Sequence, residues 1–390
     1  MLLRSVWCAQ NVQLMSYKSV VNSVSVCKAC SVVQCRSKSA KPKFESSEEK
    51  FFERVNNDKE VDQDYLKKQL SFVQTSVTGG VKSYAKILKD HGVDSTSTAG
   101  EKLVQNAPTY IQPYLKLARV DKPVGYWLLL WPGLTGLALG SGGIPGLVIS
   151  AKFCMGAILM RSIGCTINDI WDSELDKNVQ RTMSRPLASG DLTIKHAVIS
   201  GGLQSAAALA ILLSLNNATV GLGLLALPLV GTYPYMKRIT YYPQAFLGLC
   251  MNYGLLMGVT ATTGALSLPA CAMYASMASW TVFYDTIYAL QDKKDDMLIG
   301  VKSTALKFGP HVDKYLLGFA AATSTGLFLS GKLAEMGGCY YFGVGVASLF
   351  MLNQVQTLKP DNADDCMKKF VDNTKVAVAI FTAVMLGSYF

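Results

Sequence analysis

Carboxylates gather at two places in this otherwise apolar chain, and their spacing limits the chemistry they can do. The first is "CTINDIWDSELD", residues 165–176, where Asn168, Asp172 and Asp176 recur every four residues and Asp169 precedes Asp172 by three. Residues three and four apart on a helix share a face, so the segment presents a stripe of carboxylates with one amide. The second is "YDTIYALQDKKDD", which carries Asp285, Tyr288, Asp292, Asp295 and Asp296, with Asp292 and Asp296 again four apart. Both follow long apolar runs. Carboxylates held within a few ångström repel, and some must protonate unless a cation neutralises them. Donors that are all oxygen, without His or Cys, select a hard cation, and Mg2+ is the natural choice. It takes one or two carboxylates and fills its shell with phosphate oxygens and water. The clusters therefore read as two half-sites for Mg2+ bridging a diphosphate. Arg181, Arg185, Lys237, Arg238 and Lys302 lie in polar segments nearby, where they could clamp phosphate oxygens. A solvated loop with helix-capping acids would explain either cluster alone but not both at matched positions. For the basic residues, the ordinary excess of cations on one membrane face is an equal explanation.

The elements that must position these groups are membrane helices. Half of the 390 residues are hydrophobic and only 16% are charged, against about 25% in an ordinary soluble domain. From residue 124 onward the apolar residues form long runs broken by short polar loops, and in lipid only helices or closed barrels satisfy the backbone. Nine candidate spans emerge, at 120–140, 146–167, 192–214, 218–235, 243–263, 268–290, 313–331, 338–355 and 373–389, each near the ~20 residues a bilayer requires. Pro234 and Pro243 soften the bounds of the fourth and fifth. The expected fold class is all-α, a polytopic membrane protein of about nine transmembrane helices around a central chamber.

The first 44 residues hold seven Lys or Arg and eight Ser but no Asp or Glu, the first acid being Glu45. That composition is expected of a mitochondrial presequence. Residues 45–114 read as a polar, partly disordered linker, and 115–390 as the transmembrane domain. Much of the net charge of +10 sits in the leader, so no nucleic-acid partner is expected; the bilayer is. If the spans alternate, the loops after spans two, four, six and eight share one side. They carry Lys177, Arg181, Arg185, Lys237, Arg238, Lys293, Lys294, Lys302, Lys307, Lys359, Lys368 and Lys369, whereas the opposite loops offer only Lys332 and Glu335. The positive-inside rule assigns the basic side, both acidic clusters and the N-terminus to the matrix face of the inner membrane.

Weaker signals are set aside. Cys27 and Cys30 form an isolated CxxC in the leader, the other cysteines are scattered, and His91, His196 and His311 are far apart. "GLGLLA" from Gly221 lies inside a span with no strand before it, a chance match to a dinucleotide fingerprint. Small residues in "GGLQSAAALA" suit close helix packing. Tyr126, Trp127 and Trp131 read as an interfacial belt or, alternatively, as the lining of an apolar tunnel.

"NDIWDSELD" fits NDxxDxxxD and "DKKDD" fits DxxxD, so the chain resembles the UbiA-type intramembrane prenyltransferases. "RVDKPVGYWLLLWP", "RTMSRPLASG", "YPYMKRITYYPQ" and "GVKSTA" narrow the resemblance to members acting on 4-hydroxybenzoate in ubiquinone synthesis. It covers residues 115 to about 310, and the last three spans by position only. Leu175, where an aromatic is common, and the Lys pair between Asp292 and Asp295 are small departures.

The resemblance implies that Asn168, Asp169, Asp172, Asp176, Asp292 and Asp296 hold Mg2+ and that a polyprenyl diphosphate and 4-hydroxybenzoate are the substrates. It also draws Arg119 and Asp121 toward the chamber, with Arg119 a partner for the benzoate carboxylate. Tyr288 and Asn252 are further substrate contacts, packing being an equal reading for Asn252. Asp285 or the released diphosphate would take the ring proton. Other enzymes of ubiquinone synthesis are implied partners; tail length and oligomeric state are not legible. Other aromatic acceptors remain alternatives, as does a cation-coupled transporter, since intramembrane carboxylates also mark ion pathways. A transporter, however, usually binds near mid-membrane on broken helices. A soluble prenyl synthase is excluded by the nine apolar runs.

Overall fold

Each apolar run becomes a helix. Among the described residues nine long helices follow one another: α1 (Val124–Ser141), α2 (Leu147–Trp171), α3 (Ile194–Leu213), α4 (Asn217–Ile239), α5 (Pro243–Thr263), α6 (Leu268–Ala289), α7 (Val312–Leu333), α8 (Gly338–Thr357) and α9 (Ala363–Gly387). The computed structural model describes residues 99–177, 182–293, 296–297 and 300–389. The leader, the linker up to residue 98, Arg181 and Asp295 lie outside the described residues. Residues 99–117, most of which read as the end of the linker, include two short helices, Ala99–Asn106 and Gln112–Leu117, the second packing against α2. Six helical stretches are long and apolar enough to cross a membrane by length and composition: α2, α3, α4, α5, Thr304–Leu333 and α9.

Consecutive long helices are neighbours, and α9 closes back on α1, so the helices form a ring. Within it α1 and α5 make the most extensive contact. The approach is close because the facing residues are small: a Cβ on Gly136 would fall 2.1 Å from the Leu255 carbonyl oxygen. The larger part of the core lies between α5, α6, α7, α8 and α9, with Trp280, Phe283, Tyr284 and Tyr340 at its centre. On α3, by contrast, only Ala197 is buried, while Ile194, Val198, Leu203, Leu209 and Leu213 point outward. That is the expected surface of a helix whose solvent is lipid. Its small residues contribute little to close packing: Gly201 touches Thr166 of α2, whereas Gly202 has nothing beside it.

Two element bounds differ from the apolar runs for physical reasons. Helix α4 continues through Pro234 to Ile239, which places Lys237 and Arg238 on its last turn rather than in a loop. Cations there also complement the helix dipole. Helix α9 starts ten residues earlier than its apolar run, capped by Asn362, whose side chain accepts from the Asp365 amide. Its polar first turns face protein, not lipid. Asn373 accepts from the Trp280 indole (3.0 Å) and donates to Gln354 Oε1 (2.9 Å), while Lys369 Nζ binds Asp365 and the Thr357 carbonyl oxygen.

Hydrogen bonds and ion pairs fix which loops share an end. Arg238 approaches Asp172, the Lys302 amide donates to the Lys237 carbonyl oxygen (2.9 Å), and Lys293 Nζ pairs with Asp361 (3.1 Å). The segments after α2, α4, α6 and α8 therefore meet at one end, as the alternation of spans requires. At the other end Lys152 reaches the Ser214 carbonyl oxygen and Tyr389 receives the Ile144 amide.

Candidate active site

The basic end of the bundle is where both acidic clusters lie. Asn168 and Asp169 stand on the last turn of α2, Asp172 is its C-cap, and Asp176 closes a four-residue helix, Ser173–Asp176. The stripe therefore runs along an interrupted helix, with the Asp172 amide bonded to Asn168 O and the Asp176 amide to Asp172 O carrying the turn across the break. Asp169 and Asp176, seven residues apart, end on the same side. Arg185 exploits this: its Nη1 donates to Asp169 Oδ1 (3.1 Å) and Asp176 Oδ2 (2.7 Å). Asp169 is also gripped by Arg119, whose Nη2 donates to Oδ1 (2.7 Å) and Oδ2 (3.0 Å).

Arg119 holds a left-handed backbone conformation (φ 65°) at the end of the Gln112–Leu117 helix, where glycine is usual. Such a backbone costs a non-glycine residue about 1 kcal/mol or more. Here it comes with a guanidinium delivered to a buried carboxylate. In this structure Arg119 is therefore engaged with Asp169.

Asp172 is held more loosely, with Arg238 Nη2 at 3.9 Å. Burial pushes its carboxyl above the usual range; Lys237 opposes that rise, Asp176 adds to it, and Arg185 and Arg238 also oppose it. Lys237 is the link between the clusters. Its charge acts on Asp172 of the first, on Asp296 of the second, and on Asp285 of α6. Asp285 in turn feels Asp292 and Arg161. Lys237, Asp285, Tyr233 and Arg161 are enclosed by surrounding protein yet retain accessible surface. They are placed as the lining of an internal chamber would be, not as a solid core.

The second cluster is placed by its neighbours. Asp292 and Asp296 follow α6 in a turn closed by the Asp296 amide on Asp292 O (2.8 Å) and the Val301 amide on Asp296 O (2.9 Å). The chain beyond is pinned where the Thr304 amide donates to Gln244 Oε1 and Thr304 meets Thr286. Tyr288 packs at a tilt against Phe370 of α9, with ring centroids 4.6 Å apart.

Two expected substrate contacts are engaged elsewhere. Lys302 Nζ sits by the Ile239 carbonyl oxygen and over the Tyr241 ring, at the C-terminal end of α4. Asn252 is fully buried, and its amide nitrogen reaches the carbonyl oxygens of Gly248 and Met277 and the Thr281 hydroxyl, tying α5 to α6. Tyr126 hydrogen-bonds the Ala118 carbonyl oxygen, while Trp127 stays half exposed and Trp131 packs on Phe381.

The donor chemistry suits a hard cation. Among the described residues no three acidic, His or Cys side chains form a cage by themselves. Mg2+ does not require one, because it binds through one or two carboxylates with phosphate and water supplying the rest.

Comparison with known proteins settles the lineage. The profile described as "UbiA prenyltransferase family" matches residues 129–382. The chain belongs to this family. Over 309 residues it is 43% identical to a Drosophila melanogaster protein named mitochondrial 4-hydroxybenzoate polyprenyltransferase, covering 77% of this chain and 79% of that one. A UbiA homologue from Aeropyrum pernix K1 shares the fold, with a TM-score of 0.59 at 22% identity over 67% of this chain and 98% of that one. Another UbiA homologue, from Archaeoglobus fulgidus and solved with GPP and Mg2+, aligns with a TM-score of 0.53 at 18% identity, over 70% and 99% of the two chains.

One chamber residue escaped the sequence reading. Arg161 was absorbed into the second apolar run, although a lone arginine two turns inside a membrane span is itself a signal of function.

Proposed function

We propose that this UbiA-family chain transfers the polyprenyl group of a polyprenyl diphosphate to the ring carbon ortho to the hydroxyl of 4-hydroxybenzoate, with Mg2+ as cofactor. The observation that carries the reading is that the last turn of α4 touches both acidic segments: Arg238 approaches Asp172 at 3.9 Å, and the Lys237 carbonyl oxygen takes the amide of Lys302, six residues past Asp296. The named relative and the GPP- and Mg2+-bound neighbour support substrate class and cofactor. Asn168, Asp172, Asp292 and Asp296 would hold the cation, while Asp176 stays paired with Arg185. When bound, Mg2+ supplies charge that offsets the negative charge building on the diphosphate.

The chain's own residues do the rest. Lys237 and Arg238, on the last turn of α4, and Arg185 stabilise the leaving group as the allylic C–O bond breaks with its electron pair going to oxygen. The ring carbon attacks the allylic carbon, and Asp285 or the departing diphosphate accepts the ring proton, restoring aromaticity. The apolar walls exclude water that would otherwise trap the cation. Arg119 does not touch substrate in this scheme; it and Arg185 keep Asp169 in place. The chain is multi-pass in the mitochondrial inner membrane with this end toward the matrix, as the relative's mitochondrial name and the loop charges support.

The test is reconstitution of the full chain with Mg2+, labelled 4-hydroxybenzoate and a long polyprenyl diphosphate, with homogentisate as a parallel acceptor. A labelled lipid-soluble product that disappears with EDTA is expected. Product from homogentisate alone would reassign the acceptor, and cation flux into the liposomes without covalent product would replace the transferase reading by a transporter.

A further inference from the structure

A second recess lies at the basic end of the bundle, and none of the acids lines it. It is a cleft of about 360 Å3 formed by the end of α4, the start of α5 and the middle of α6. Its walls are apolar, with Met236 of α4, Ala245, Phe246 and Leu249 of α5, and Ala278 and Val282 of α6. Ser279, which also lines it, donates its hydroxyl to the Phe319 carbonyl oxygen of α7 (3.3 Å). Along α5 the cleft runs from Tyr242 to Leu249, roughly 10 Å. Ala245 and Leu249 are exposed, so it opens to the outside of the bundle, where the solvent is lipid.

One end of the cleft carries charge and aromatic rings. Thr240 and Tyr242 line it there, and the ring of Tyr241 between them has Lys302 Nζ 4.9 Å and Lys307 Nζ 5.9 Å from its centroid. Tyr242 packs at a tilt against Phe308, Phe308 stacks on Tyr315, and both tyrosines are half exposed. Such tyrosines mark the headgroup level of a bilayer. No Asp or Glu occurs in 239–250 or 301–312, so these segments bring positive charge only.

We propose that this cleft binds an anionic phospholipid, one acyl chain lying between α4, α5 and α6 and the phosphate meeting Lys302 and Lys307. Charge complementarity selects the occupant. A phosphodiester needs cations alone, whereas a diphosphate gripped through a divalent metal also needs carboxylates, which these segments lack. Basic recesses between membrane helices suit such headgroups. The site also gives a role to Lys302, whose side chain stands at the end of α4 and not among the acids. A lipid seated here ties the α4–α5 turn to the segment after α6, beside the turn that carries Lys237 and Arg238.

The experiment reconstitutes the full chain in vesicles of phosphatidylcholine and phosphatidylglycerol and reads the lipid retained after extraction by native mass spectrometry. Phosphatidylglycerol should be retained in preference to phosphatidylcholine. Lys302→Ala and Lys307→Ala should each weaken that retention about fivefold, and the pair together roughly thirtyfold. Ala245→Phe, which fills the cleft and leaves both lysines in place, should weaken it as well. The two kinds of variant are independent, so a failure of one to fold leaves the other to decide. Glycerol phosphate, the same headgroup chemistry without acyl chains, should not displace the lipid. Retention unchanged in the folded variants, equal retention of phosphatidylcholine, or release by glycerol phosphate overturns the site. Displacement by a polyprenyl diphosphate without Mg2+ overturns it too, and gives the cleft to the substrate tail.

Discussion

In the cluster that ends α2, two arginines reach in from separate segments and take up Asp169 and Asp176 at 2.7–3.1 Å. In the cluster beyond α6, Asp292 and Asp296 sit in a turn pinned from outside, through the Lys302–Lys237 backbone bond and the pairing of buried Lys293 with exposed Asp361. Similar residues are thus held by different means. Direct clamping gives the first cluster a fixed frame in which Asp169 and Asp176 are neutralised, leaving Asp172 with one long contact to Arg238. The second owes its place to the last turn of α4 and the loop after α8. In the proposed mechanism carboxylates of the same motif have unequal duties: Asp169, held by two arginines, is a structural anchor, whereas Asp172 and the second cluster would meet the cation and its diphosphate.

That contrast can be broken at its strongest point first. Asp172→Ala and Asp292→Ala should each lower product formation about a thousandfold or more, since each removes charge aimed at the reacting group. Turnover at saturating Mg2+ checks this, and folding should be intact by thermal melting. Arg185→Ala should instead hit both activity and stability, because it strands buried Asp176 and leaves Asp169 to Arg119 alone; a loss on the order of 3 kcal/mol is expected from such a rupture. A melting transition unmoved by this change would show that the clamp is not what holds the first cluster. Asp361→Ala, an exposed partner, should cost less than about 1 kcal/mol and weaken the apparent Mg2+ requirement by a few-fold at most, read from a Mg2+ titration of the rate. Lys302→Ala should change the rate least, about twofold, because the side chain lies on the end of α4 and not among the acids; a loss comparable to that of Asp172→Ala would return it to the phosphate grip.

Much of this arrangement was legible from the chain alone. Apolar runs of membrane length, two acid motifs and the alternation of loop charge are all one-dimensional signals, and the helices and their shared end follow them. What was not legible depended on which neighbour a side chain meets. The polar start of α9 looks like a loop because Asp365 and Lys369 would be expensive in lipid, yet they pair with each other and Lys369 also reaches the Thr357 carbonyl oxygen. Arg119 looked available to a substrate because nothing in "RVDKP" announces Asp169, fifty residues away. Arg161 was hidden by the apolar average around it. Pro234 suggested an end to α4, but the helix continues and carries Lys237 into the chamber.

The central claim is that the two clusters grip one diphosphate through shared cation and charge. It is tested most directly by a double-mutant cycle on Mg2+-dependent binding of a polyprenyl diphosphate to the purified full chain, using Asp172→Asn, Asp292→Asn and the pair together. If both carboxylates serve one ligand complex, the double variant should bind scarcely more weakly than either single variant, a coupling of about 1 kcal/mol or more. Losses that simply add would mean two independent sites and would contradict the account.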